Sequence, residues 1–163
     1  MTNTQGKLHQ LCATTKFLIT VLVGALFAPA AQAINATQWQ AVAPAIQAAV
    51  ECRAKPDTTA AAWKALPRDE SGGIEAIKPP VPFTVFGLPV QEVSIFIDPD
   101  GELGESYTAT LGTNAAAVRK AAKLSTAGGR TTTMGELMLS DGGAPQLTCT
   151  VAGTYDESDY QEN

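Results

Sequence analysis

Histidine is almost missing from this chain of 163 residues; the single one is His9. Beyond residue 33 there is none. That absence excludes Ser-His-Asp and Cys-His catalysis, His-ligated zinc and His-based pH switching from the rest of the chain. Cysteine is nearly as scarce, with Cys12, Cys52 and Cys149. Positive charge is also short: 11 Lys and Arg stand against 16 Asp and Glu.

What is present at the start is an ordered set of export signals. Lys7 and Lys16 are the only charged side chains before Glu51. The apolar run Phe17–Ala28 follows, and Pro29 breaks it. That run of about twelve residues is too short to cross a hydrocarbon core of about 30 Å as a helix. Ala31-Gln32-Ala33 then supplies the small-x-small pattern read by signal peptidase. Residues 1–33 are therefore expected to be a cleaved signal peptide, with the junction between Ala33 and Ile34. Cys12 precedes the apolar run and follows Leu11, which is the wrong place for a lipidated cysteine. No twin-Arg pair is present, so the general secretory route is expected.

The chain from Ile34 to Asn163 has the length of one domain and can bury roughly two thirds of its unfolded surface. Residues 34–155 are expected to form a single domain, and 156–163 a disordered acidic tail. Without Lys7 and Lys16, 9 of the 11 basic residues remain against all 16 acidic ones, a net charge of −7. That balance argues against nucleic acid and against anionic membranes as partners.

Export also bears on the cysteines. An even number in an oxidising compartment favours a disulfide, here Cys52–Cys149. Such a bridge would leave neither thiol free as nucleophile or metal ligand.

Hydrophobic periodicity supplies the architecture. Trp39, Val42, Ile46 and Val50 recur at helical intervals and predict a helix over 37–53, which Pro44 should kink or start. A second helix is predicted over 58–66, capped by Asp57 and stopped by Pro67. Residues 67–80 read as an exposed loop centred on Gly72-Gly73. Val81, Phe83 and Val85 alternate as a strand. Val93, Ile95 and Ile97 share one face of the next, over 90–97. The turn Asp98-Pro99-Asp100-Gly101 should lead back into a strand over 106–111, making a hairpin. A third helix is predicted over 114–124 with Thr113 as cap. One strand over 131–139 and another over 146–152 follow, Cys149 pointing inward on the last. The order α-α-β-β-β-α-β-β is α+β: an antiparallel sheet of four or five strands with helices packed on one face.

Four surface features are candidate sites, each with a plainer structural reading. Asp98, Asp100, Glu102 and Glu105 form the densest carboxylate cluster, and hard cations bind such oxygens. Their spacing matches only fragments of a calcium loop, and a hairpin loop with solvated charges explains them as well. Neighbours on an exposed turn also do not make the separated pair that glycoside hydrolysis needs. Trp39 and Trp63 are placed to line a groove or, more simply, to fill the core. Pro79-Pro80-Val81-Pro82-Phe83 is either a rigid partner surface or the start of an edge strand. Asn35-Ala36-Thr37 is a glycosylation sequon.

No metal, cofactor or catalytic set is expected. Periplasmic lysozyme inhibitors share the size and the export, but their best-known group presents a histidine between two cysteines, which this chain lacks. The expected function is that of a periplasmic or secreted binding protein with a protein partner and no catalysis, in one version the inhibitor of a hydrolase or toxin. The alternatives are an envelope structural or assembly module, and an enzyme working with carboxylates, Ser or Lys.

Overall fold

The computed structural model describes residues 34–70, 72–140 and 142–155. The expected signal peptide, Ala33 of its cleavage junction and the expected tail 156–163 lie outside them.

Helix α1, Ala36–Val50, starts on a capping box: Asn35 accepts the Gln38 N–H at 2.9 Å, and the Gln38 side chain accepts the Asn35 N–H at 3.2 Å. The sequon asparagine is thus the helix cap. Ile34 and Trp39, the positions of a hydrophobic staple around such a cap, are both buried. Pro44 neither starts the helix nor interrupts it. It lies on the exposed side, so the Gln40 carbonyl that loses its ladder partner can bond to water instead. The helix stops at a Schellman motif, with Cys52 N–H bonded to the Ala49 carbonyl and Arg53 N–H to that of Ala48, each at 2.9 Å.

Helix α2 is one turn, Ala61–Lys64, shorter than the expected span 58–66. Asp57 does not cap it. Its carboxylate accepts the Thr59 hydroxyl at 2.7 Å and the Thr59 N–H at 2.9 Å, closing a turn ahead of the helix. Those bonds, the hydroxyl first, lower the pKa of this fully exposed acid.

The segment expected to be a loop contains a strand, β1, Ile74–Ile77. Strand β2, Thr84–Val85, pairs with β3, Leu88–Ile97, through a tight turn at Phe86 and Gly87, whose φ values are +51° and +74°. The hairpin of β3 with β4, Glu105–Leu111, forms as expected. Helix α3, Ala115–Ala121, is capped by Asn114 rather than Thr113, through the Ala117 N–H at 3.0 Å. The single strand expected over 131–139 is instead a hairpin of β5, Gly129–Thr131, and β6, Glu136–Ser140. The Thr132 hydroxyl closes it by donating to the Gly135 carbonyl at 2.9 Å. Strand β7 is Gln146–Val151.

The fold is α+β, as expected, but the sheet is larger. Its seven strands run in the order β1-β3-β4-β7-β6-β5, with β2 paired to β3 off that path, and every pairing is antiparallel. Val93, Tyr107, Ala109, Leu111, Leu137, Leu147 and Cys149 alternate along their strands and are buried. Trp39, Val42, Ile46, Ala49 and Val50 of α1 join them in one core. Helix α1 packs against β4 and β7, and α3 against β6. Among the described residues no helix is long and apolar enough to cross a membrane.

The Cys52–Cys149 disulfide is present, with α-carbons 5.3 Å apart. It ties the end of α1 to the last strand, which fits an oxidising compartment.

Candidate functional site

A concavity lies where the outer edge of β3 loses its neighbour. Strand β1 pairs with β3 only from Ile74, opposite Ile95, to Ile77, opposite Val93. The chain before Ile74 turns away at Gly72-Gly73, held by the Gly73 N–H on the Asp69 carboxylate at 2.9 Å and the Asp69 N–H on the Gly73 carbonyl at 2.9 Å. Residues 96–99 therefore continue along an edge that no strand among the described residues covers. A cleft of about 570 Å³ opens there. Trp63, Ile74, Ile95 and Ile97 give it apolar walls, and Thr58, Arg68 and Asp98 its polar rim. Arg68 reaches across the turn to donate to the Gly72 carbonyl at 2.9 Å.

The acidic turn forms one side of this cleft. Asp98 is its structural anchor: the carboxylate accepts the Leu103 N–H at 2.8 Å, and the backbone N–H donates to the Gly104 carbonyl at 3.0 Å. The chain after β7 runs against it, Thr154 N–H on the Gly101 carbonyl and Tyr155 N–H on that of Glu102, each at 3.0 Å. The approach is so close that a β-carbon on Gly153 would collide with the Glu102 carbonyl. A turn held at both ends this way presents its carboxylates in a fixed place.

The four carboxylates picked out by the sequence do not converge. Asp98 faces the cleft, and Asp100 and Glu102 are exposed on the turn. Glu105 lies away from them, paired with Lys55 at 2.9 Å and accepting the Tyr107 hydroxyl. Among the described residues no three His, Cys, Asp or Glu side chains come together as metal ligands. Burial, then the Glu105 carboxylate, push the Tyr107 hydroxyl well above its ordinary pKa.

Trp39 and Trp63 are both core residues, 1% and 2% exposed, although Trp63 also reaches the cleft wall. The proline-rich segment turns inward: Phe83 meets Trp39 edge to face, with ring centres 4.9 Å apart. It packs the hairpin of β2 onto α1, while Pro80 and Pro82 stay exposed.

Sequence reasoning passed over one buried acid. Glu51 is 7% exposed and accepts the Phe86 N–H at 2.8 Å, Gln47 Nε2 at 3.2 Å and Arg53 Nε at 2.6 Å. It pins the turn between β2 and β3 to the end of α1. Arg130 stacks on the same turn, its guanidinium carbon 5.7 Å from the centre of the Phe86 ring. Sequence reasoning also passed over the cleft walls Ile74 and Arg68, because the segment holding them reads as polar loop. The one available signal was the pair of β-branched residues Ile74 and Ile77 around Glu75-Ala76, just after the Gly-Gly turn.

Comparison of the chain with family models, with curated proteins and with solved structures returns no match. The functional reading therefore rests on the cleft and its surroundings.

Proposed function

We propose that residues 34–163, released by cleavage after Ala33, act outside the cytoplasm as a protein-binding domain without catalytic chemistry, for example as the inhibitor of a hydrolase or toxin. The observation that carries this reading is the cleft itself. It combines an apolar wall, an uncovered strand edge and a rigid acidic turn, which are the elements of a recognition surface. The net charge of −7 that follows from the composition adds long-range steering towards a basic partner. The disulfide supports the extracytoplasmic setting.

The test is retention of proteins from periplasmic and culture-medium fractions on immobilised residues 34–163. The expected result is one basic protein held at about one-to-one stoichiometry and released by raised salt. Recovery of no stoichiometric partner from either fraction would count against the binding role.

A further inference from the structure

We infer that the cleft between the end of β3 and the Gly72-Gly73 turn takes an extended, basic segment of a protein partner as a short added strand against Ile97. This deepens the proposed binding role and rests on it.

The strand register shows which backbone groups are on offer. The Asp98 N–H bonds to the Gly104 carbonyl, so residue 98 turns its N–H towards the β4 side of the hairpin. Ile97 stands opposite Glu105 and Ile95 opposite Tyr107. By the alternation of antiparallel ladders these are the pairs whose N–H and C=O groups point away from β4. Ile95 spends that outward side on Ile74 of β1. Ile97 has no strand there, because the chain has already turned off at Gly73. Its N–H and C=O open on the cleft, and an extended backbone is the chemical group that matches both. Pro99 has no N–H and ends the edge, so the added pairing is short. Affinity must then come from a side chain set against Trp63, Ile74 and Ile97, and from charge.

Charge selects the occupant. Asp98 stands on the rim, with Asp100 and Glu102 exposed on the same held turn. A second copy of this chain would bring the same three acids to the edge. The chain's own residues 156–163 carry Asp156, Glu157, Asp159 and Glu162 and no basic residue. Both are repelled, whereas a segment alternating Lys or Arg with apolar residues puts one face on the apolar wall and the other beside the acids.

The probe is the capped hexapeptide Lys-Val-Lys-Val-Lys-Val, titrated into isotope-labelled residues 34–163 with backbone amide shifts as readout. Saturable shifts confined to residues 72–74 and 95–98 are expected. Ile97→Pro removes the outward N–H together with the Ile97 share of the apolar wall and should weaken binding at least tenfold, with the thermal transition as a folding control. Asp98→Asn keeps an acceptor for the Leu103 N–H and should weaken binding several-fold while flattening its salt dependence. Thr58→Arg, at an exposed rim position, should abolish binding by filling the cleft with a positive charge, and serves if Ile97→Pro does not fold. Equal binding of Lys-Gly-Lys-Gly-Lys-Gly or of Glu-Val-Glu-Val-Glu-Val would overturn the inference. So would no saturation by millimolar peptide, or affinity unchanged in both Ile97→Pro and Thr58→Arg. A natural partner retained equally by wild type and these variants would leave the binding role standing and remove the cleft from it.

Discussion

Cys52 and Lys123 occupy the same position in two different helices. Each follows the C-cap of its helix with a positive φ, +57° and +53°, where glycine is the usual residue. In α3 the motif is complete: the Lys123 N–H bonds to the Lys120 carbonyl and the Leu124 N–H to that of Arg119. At Cys52 the strained conformation is tied to a purpose, since the side chain must reach Cys149. At Lys123 the side chain is exposed and nothing in the structure requires it. Lys123→Gly should therefore raise stability by about 0.5–1 kcal/mol, read as a higher denaturation midpoint at unchanged slope. A loss of stability would mean that the lysine stem covers the end of α3 more than its exposure indicates. The same two residues explain why both helices were read too long from sequence. With no glycine to mark the stop, 37–53 and 114–124 ran past Val50 and Ala121. Asn114 illustrates the converse problem, since Thr113 and Asn114, both able to cap, stand side by side and only backbone geometry chooses between them.

Among the elements, the join between α1 and β7 is the one that the sequence foretold most fully. Periodicity of Leu147, Cys149 and Val151 turns Cys149 inward, and the helical spacing of Ile46 and Val50 places Cys52 at the end of a core-facing helix. The bridge closes a loop with a sequence separation of 97 residues. Replacing both cysteines by alanine should cost about 2–4 kcal/mol in denaturant unfolding, towards the larger end because the loop is long. The folded α1–β7 packing should survive, because the fully buried Val50, Ala49 and Leu147 also hold the two elements together. A variant that unfolds altogether would show that the bridge, and not this packing, holds the helix on the sheet. The elements that escaped the sequence are the short ones. Strand β1 has four residues, β2 two and β5 three, too few for an alternation to declare itself. They exist because a neighbouring strand offers them a ladder, a condition set by tertiary contacts.

For the whole molecule, export and cleavage lead to one mass. Protein recovered from outside the cytoplasm should begin at Ile34, checked by intact-mass measurement, with a mass retaining residues 1–33 as the contrary outcome. Among the described residues, the staple positions Ile34 and Trp39 and the Asn35 cap follow directly on that junction. Class, charge, the exclusion of histidine chemistry, the disulfide partners and the central β3–β4 hairpin were all legible in the sequence. Each depends on composition or on periodicity within one element, and both are local properties. The seven-strand order, the burial of Glu51 under Phe86 and the cleft at Ile97 were not. A cleft exists because β1 starts at Ile74 and not three residues earlier, so that one strand edge stays uncovered. That outcome is decided by where the chain turns at Gly72-Gly73 against residues more than twenty positions away. Only the folded arrangement brings those parts of the sequence together, and so only tertiary structure decided where the cleft proposed for binding lies.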